Sequence, residues 1–215
     1  MAKLFFNAMA RNSESETDAD VASRYLLWID GVGGYLLCLG ERVTLGGPHP
    51  DGERADISLL GNLARKHATF VRDREGYLLE AHSPTHVAER PVDDKTHLKS
   101  DYELKFGSNV KLRFRLPTVL SGTARLDFVS DHRPAQRVDG ILLMEDSCLM
   151  GPESTNHVVC SEWPETVLLF RKDGKFWCKS RSQIFVDGEM KDDGGPIEAG
   201  QVVNGLEFRF RLEAV

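Results

Sequence analysis

Apolar residues occur along this chain in short runs separated by glycine, aspartate and proline. The runs are YLLWI (25–29), YLLCL (35–39), VTLGG (43–47), ATFV (68–71), YLLEA (77–81) and VKLRFRL (110–116). Short runs bounded by turn residues are typical of strands, and almost no stretch of useful length has a helical period. The pattern therefore predicts an all-β protein built as a β-sandwich or barrel.

The strand pattern of the first half recurs in the second half in the same order. VKLRFRL at 110–116 matches LEFRFRL at 206–212, and GYLLCL at 34–39 matches GILLME at 140–145. All the matches have offsets between 96 and 106 residues, and the offset changes in loop-like segments. Such drift is expected of two copies of one fold with different loop lengths.

The repeat predicts two β-sandwich domains, at 22–117 and 122–215, joined by a short linker at 118–121. So short a linker predicts that the two sandwiches pack with a restricted orientation. Within the repeated RFRL strands, alternation predicts that Phe114 and Phe208 or Phe210 face inward.

Residues 1–21 are predicted to be a flexible tail. The segment NSESETDAD at 12–20 is polar apart from Ala19 and strongly acidic, so it cannot bury enough surface to offset the entropy of ordering. The preceding MAKLFFNAMARN has too short an apolar core for a secretory signal or a membrane span, so neither export nor anchoring is expected.

Composition and charge narrow the possible partners and compartment. The 215 residues are 41% hydrophobic and 28% charged, with a net charge of -6, which argues against nucleic acid or an acidic membrane as the main partner. The cysteines are far apart and three of them lie among apolar neighbours, which predicts reduced and mostly buried thiols in a cytoplasmic protein. They are Cys38, Cys148, Cys160 and Cys178.

The order of landmarks in the first half resembles a forkhead-associated (FHA) domain. A strand ending in LGG (45–47) is followed by ADISL (55–59), LARKHATF (63–70), HVAERPV (86–92) and LKFGSNVKLRFRL (104–116). The resemblance implies an eleven-stranded β-sandwich whose loops at one edge bind phosphothreonine peptides without catalysis. A divergent tandem of this kind is also similar to FHA proteins of planctomycete-type bacteria.

The residues that the FHA resemblance assigns to phosphate recognition are altered here. Gly47 stands where the family has its main arginine, and Ala64 stands where it has a phosphate-contacting serine. His67 matches the histidine that braces the pocket loops, so the resemblance gives it a structural role. The family's Asn-Gly-Thr aligns with Ser83, Pro84 and Thr85, and Pro84 removes one N–H donor.

Substitute ligands exist in the same loops, and they leave two functions open. The candidate peptide- or phosphate-binding residues are Arg54, Arg65, Lys66, Ser83, Thr85 and Arg90. One hypothesis is an interaction module with a degenerate phosphothreonine pocket. The alternative is a working phosphothreonine reader that uses these substitutes. In either case the expected partner is a protein or a peptide, and no cofactor is expected.

In the second copy, Trp163, Pro164, Glu165 and Thr166 take the places of Ala64 to His67. Glu165 would repel an anion, so this edge is not expected to bind phosphate by the family mechanism. Trp163 is predicted to be either a core residue or an anchor for a protein partner.

The tail and the histidines suggest two further alternatives. Thr17, with Asp20 three residues later, resembles a preferred FHA target, so a phosphorylated tail could dock on its own or a neighbouring domain; the rival interpretation is an acidic, solubilising tail. Seven histidines raise a remote alternative of a metal-dependent enzyme, but no zinc-binding, phosphate-cradling or nucleophile-elbow motif is present.

Overall fold

A computed structural model describes residues 23–49, 54–74, 76–192 and 194–215. Within these residues, the first half has eleven strands. They are β1 Arg24–Ile29, β2 Gly33–Cys38, β3 Arg42–Gly46, β4 Ile57–Ser58, β5 Ala68–Asp73, β6 Gly76–Ala81, β7 Thr85–Val87, β8 Arg90–Pro91, β9 Lys95–Leu98, β10 Glu103–Phe106 and β11 Val110–Arg115.

The described residues of the second half also form eleven strands. They are β12 Ala124–Phe128, β13 Gly140–Leu143, β14 Ser147–Gly151, β15 Val158–Val159, β16 Val167–Lys172, β17 Lys175–Lys179, β18 Ile184–Val186, β19 Glu189–Lys191, β20 Gly195–Ile197, β21 Val202–Asn204 and β22 Arg209–Ala214. Within the described residues every regular element is a strand, so the prediction of an all-β fold is confirmed.

The strands form three sheets with matching connectivity in the two halves. One five-stranded sheet has the order β4-β3-β5-β6-β9, and the other has the equivalent order β15-β14-β16-β17-β20. A twelve-stranded sheet, ordered β19-β18-β21-β22-β1-β2-β13-β12-β11-β10-β7-β8, runs through both halves and packs against both smaller sheets. The two halves therefore share one central layer.

The first hairpin of each half pairs with the last strand of the other half. β1 is antiparallel to β22, with Tyr25 opposite Ala214, whereas β12 is antiparallel to β11, with Phe114 opposite Leu126. β2 and β13, the inner strands of the two hairpins, pair with each other in parallel. Each half thus supplies two strands that complete the sheet of the other.

The exchanged hairpin β1–β2 has both faces buried, one in each hydrophobic core. Leu27 and Leu37 belong to the core of the second half, while Leu26 and Leu36 belong to the core of the first half. Burial on both faces explains why these strands read as continuous apolar runs rather than as alternating ones. In β11 and β22 alternation is retained: Phe114 and Phe210 are buried, whereas Arg115, Arg209 and Arg211 are exposed. Phe208, just before β22, is also buried.

All four cysteines are free and buried, as the sequence predicts. Burial raises the pKa of the thiols of Cys148, Cys160 and Cys178 to about 12, so these thiols stay protonated and unreactive at neutral pH. In the part of the chain that is described, no helix is long and apolar enough to cross a membrane.

Candidate functional site

Three loops of the first half meet at one edge of its sandwich. They connect β3 to β4, β4 to β5 (59–67) and β6 to β7 (82–84). Backbone hydrogen bonds join them: Gly47 N–H donates to the Ala64 carbonyl over 3.0 Å, and His82 N–H donates to the His67 carbonyl over 2.9 Å. The edge is therefore fixed by its backbone before any side chain is considered.

His67 links two of these loops through its ring. Its Nδ1 accepts a hydrogen bond from the Ala64 N–H over 3.3 Å, and its Nε2 donates to the Pro84 carbonyl over 3.1 Å, which requires the neutral ring with the proton on Nε2. The ring is 3% exposed and lies edge-on to Phe106. Burial lowers the pKa of His67 below its ordinary value; the charge of His82 acts in the same direction, and the Pro84 hydrogen bond opposes both.

Gly47 is enclosed by backbone. A Cβ added at this residue would lie 2.7 Å from the Leu63 carbonyl oxygen and 3.3 Å from that of Gly61. Both obstacles are backbone atoms rather than flexible side-chain ends, so the loop itself would have to move to admit any side chain. Position 47, where the sequence resemblance implies an arginine, is therefore sterically closed.

The β4–β5 loop is exposed immediately before His67. Its residues Ala64, Arg65 and Lys66 face solvent, whereas Leu59 and His67 are buried. Within the described residues, neither Arg65 nor Lys66 has an ion-pair partner. Their charges are consequently available at this edge, although neither side chain is held in place.

The β6–β7 loop uses its own polar groups internally. Thr85 is 2% exposed, and its hydroxyl donates to the Ser83 carbonyl over 2.9 Å. The Pro84 carbonyl accepts hydrogen bonds from both His67 and the Gly107 N–H. Ser83 is half-buried, so of these three residues it has the side chain best placed to meet a ligand.

Arg54 and Arg90 line cavities that do not include Arg65 or Lys66. Arg54 lines one with Arg24 and the β12–β13 loop, and Arg90 lines another with His97, Lys99 and Tyr102. The hydrogen bonds of this edge join the loops that contain Arg65, Lys66, His67 and Ser83.

The edge of the second half is held together by Glu165. Its carboxylate accepts hydrogen bonds from the Ser180 hydroxyl (2.9 Å), the Arg181 N–H (2.9 Å) and the Ser182 N–H (3.2 Å). Burial raises the pKa of this carboxyl, but these hydrogen bonds outweigh burial and leave the pKa below its ordinary value. The N–H groups of Arg181 and Ser182 in the β17–β18 loop are thus already hydrogen-bonded to a carboxylate of the chain itself.

Trp163 is part of the second core. The side chain is 4% exposed, and its ring centroid lies 5.1 Å from that of Phe208. It also borders a shallow cavity with Leu206, which is 85% exposed. An anchoring role for Trp163 would require the indole to leave this packing.

Among the described residues, no three His, Cys, Asp or Glu side chains are grouped so that they could hold a metal ion. Thr17 and Asp20 lie outside the described residues, as does the whole of the predicted tail.

No protein-family model and no curated protein matches this chain, but solved structures do. The FHA-2 domain of the Mycobacterium tuberculosis ABC transporter Rv1747 is 16% identical over 61% of this chain and 94% of that chain, with a TM-score of 0.34. The Rv0020c FHA structure is 22% identical over 39% and 84%, with a TM-score of 0.29. The N-terminal FHA domain of EssC, from the bacterial type VII secretion apparatus, is 10% identical over 88% and 92%, with a TM-score of 0.24.

All three are FHA domains. The sequence resemblance to FHA domains implies an arginine at position 47, a serine at position 64 and a bracing histidine at position 67, where this chain has Gly47, Ala64 and His67. Sequence reasoning missed the role of Glu165, because hydrogen bonds from loop N–H groups to a carboxylate leave no periodic signal in the sequence. The neighbouring serines in KSRSQ (179–183) were the only hint.

Proposed function

We propose that this protein is a non-catalytic interaction module of the FHA type whose first edge binds a protein or peptide without depending on phosphothreonine. Residues 22–117 and 122–215 are two divergent copies of one FHA-like unit, joined at 118–121 and completed by each other's first hairpin. The protein acts in the cytoplasm.

The closure of Gly47 carries the proposal. Recognition of a phosphate by a neutral loop depends on a guanidinium that supplies both charge and fork geometry. An arginine at Gly47 would meet the Leu63 carbonyl from its Cβ onward. The backbone of the neighbouring loop takes up the space that the arginine would need. Restoring the arginine alone would therefore not restore a pocket.

The remaining donors support the same conclusion. Ala64 offers no hydroxyl, and the hydroxyl of Thr85 is committed to the Ser83 carbonyl. His67 holds the loops through both ring nitrogens, so neither nitrogen is directed at a ligand. In the second half, the loop N–H groups already donate their hydrogen bonds to the Glu165 carboxylate, and the negative charge of this carboxylate repels a phosphate.

Fluorescence polarisation with a degenerate phosphothreonine peptide library and its unphosphorylated counterpart tests the proposal. We expect no preference for the phosphorylated library, and we expect partners retained from native lysate to survive phosphatase treatment. Micromolar binding of phosphothreonine peptides alone, with the unphosphorylated peptides silent, would overturn it.

A second candidate function is a phosphothreonine reader that uses substitute cations. The observation in its favour is that Arg65 and Lys66 are exposed, have no ion-pair partner among the described residues, and lie on loops joined to that of the half-buried Ser83. Under this alternative, Arg65→Ala and Lys66→Ala should each weaken phosphopeptide binding, and the exposed Arg74 provides the matched control in Arg74→Ala. Equal binding by all three variants would contradict this alternative.

A further inference from the structure

The first sandwich has an open side at which both of its sheets end. In the first half, β9 is the last strand of the five-stranded sheet and β8 is the last strand of the twelve-stranded sheet. A cavity of about 390 Å³ lies between them. Its apolar part is formed by Val87, Val92 and Tyr102, which also contribute to the core of this half. None of the described residues that line it belongs to the three loops of the Gly47 edge, so the cavity is a separate surface.

Strand β9 presents free backbone groups on this side. The Ala81 N–H donates to the Asp94 carbonyl over 2.7 Å, so the alternation of an antiparallel ladder directs the backbone groups of Thr96 towards β6. Those of Lys95 and His97 consequently point away from the sheet. A row of edge groups in this direction is a template for the addition of another strand.

Strand β20 occupies the position of β9 in the other five-stranded sheet. The registers of these strands against β17 and β6 place Pro196 where β9 has His97. A proline is tolerated on an edge strand where the missing N–H would face away from the neighbouring strand. Pro196 therefore supports the outward direction of the His97 N–H. It also blocks strand addition at the equivalent place in the second half, so the first half alone keeps this edge open.

The charge of the two edges differs in the same way. Arg90 and Lys99 are exposed at the cavity, and within the described residues neither forms an ion pair. The strand registers place Glu189 and Glu198 at the equivalent positions of the second half. The basic lining is thus a property of this half and is not imposed by the fold.

The carboxylates of the same segment lie outside the lining of the cavity. Glu89, Asp93 and Asp94 are exposed in the turns on either side of β8. Asp101 and Glu103 each form an ion pair with a basic residue of β11. A ligand in the cavity therefore meets cations and apolar side chains there, and meets carboxylates only beyond it.

We propose that β9 is a docking strand for an extended segment of a partner protein in which acidic and apolar side chains alternate. Side chains of an added strand point to its two faces in turn. Those on one face would lie beside the exposed Lys95, His97 and Lys99, which suit carboxylates, and those on the other would enter the apolar part of the cavity. The inference goes beyond the proposed function and does not depend on it, because it concerns neither the Gly47 edge nor phosphothreonine.

Fluorescence polarisation of the full chain with a labelled peptide of alternating glutamate and valine tests the docking. We expect saturable binding of this peptide and none of a peptide of alternating lysine and valine. Lys99→Glu, which copies Glu198, should weaken binding about tenfold or more, because like charges would then meet. Lys175→Glu makes the same charge change at an exposed lysine of the second half and should leave the affinity unchanged.

A second pair of variants tests the backbone contact. His97→Pro copies Pro196 and removes the outward N–H, so it should weaken binding about tenfold, as the loss of one hydrogen bond requires. His97→Val retains the N–H and the strand, and it should bind the acidic peptide much more tightly than His97→Pro. In NMR spectra of the full chain, the peptide should shift the amide signals of Lys95 and His97 and leave that of Arg65 unchanged.

Four outcomes would overturn the proposal. They are an absence of preference for the acidic peptide, full binding by Lys99→Glu, equal binding by the two His97 variants, and amide shifts at Arg65 instead of β9. A peptide-free dimer that Lys99→Glu converts to a monomer would also overturn it, because the occupant would then be a second copy of the chain. None of these measurements uses a phosphorylated peptide, so the function proposed for the Gly47 edge stands or fails separately.

Discussion

Tyr25 lies opposite Ala214 in antiparallel strands. Strand β1 of the first half therefore pairs with β22, the last strand of the second half. The reverse exchange joins Phe114 to Leu126. The two halves are consequently held together by ladder hydrogen bonds and by two shared cores, in addition to the linker. This arrangement has direct consequences for stability.

Cutting the linker should leave the molecule intact. Val119 and Leu120 are fully or largely exposed, so a protease site introduced at 118–121 would be accessible. Because each fragment supplies a hairpin to the other, we expect the two fragments to co-elute from size-exclusion chromatography as a one-to-one complex after cleavage. Two separately eluting, folded fragments would show that the exchange does not occur.

Neighbouring leucines of β2 should affect different halves. Leu36→Ala and Leu37→Ala remove similar buried side chains, and each should cost about 2–5 kcal/mol of unfolding free energy. Leu36 packs in the first core and Leu37 in the second. Hydrogen exchange should therefore accelerate mainly around Phe70 in the first variant and mainly around Leu169 in the second. The same pattern in both variants would contradict this assignment.

Glu89→Gly should stabilise the protein. Ala88 and Glu89 form the β7–β8 turn with positive φ angles of 48° and 66°. Such angles are unfavourable for residues other than glycine and asparagine. Relief of that strain is worth about 1 kcal/mol. The equivalent turn of the second half carries Asp187 and Gly188, so Gly188→Ala is the matched control and should destabilise the protein by a similar amount. Chemical denaturation measures both changes.

Lowering the pH should weaken the edge of the second half through Glu165. Its pKa in the folded protein lies below the ordinary value of 4.5, so its contribution is fully present above that pH and is lost as the pH falls through the folded pKa. Glu165→Gln should remove this part of the acid dependence of unfolding, whereas Glu162→Gln, at an exposed neighbour, should retain it. An unchanged acid profile in Glu165→Gln would contradict the role given to its hydrogen bonds.

Acidification should also weaken the edge of the first half, through His67. Its folded pKa is also depressed, below the ordinary value of 6.5, and protonation of Nδ1 would remove the acceptor for the Ala64 N–H. The stabilisation is therefore present above pH 6.5 and is lost as the pH falls through the folded pKa. NMR titration of the ring, with unfolding followed in His67→Gln, checks this; a ring that protonates above pH 6.5 would contradict it.

The sequence predicted the strand content because it depends on local patterns of apolar and turn residues, and the prediction of an internal repeat rests on the same patterns. It did not predict the hairpin exchange. The hairpins β1–β2 and β12–β13 have similar apolar patterns, so the local sequence does not indicate whether each pairs with β11 or with β22. The unbroken apolar runs at 25–29 and 35–39 were compatible with burial on both faces, and only the structure shows what covers them. The enclosure of Gly47 by Leu63 was equally invisible, because it depends on how two loops approach.

The pairing of β1 with β22 also determines how the molecule would respond to mechanical force. The Val215 N–H donates to the Arg24 carbonyl, so residues 24 and 215 lie side by side at one end of the two antiparallel strands. A pull between these two residues would act across the ladder and open it one hydrogen bond at a time, from Tyr25 towards Ile29. The molecule should therefore yield at low force in a pulling experiment, even though its resistance to heat depends on two complete cores.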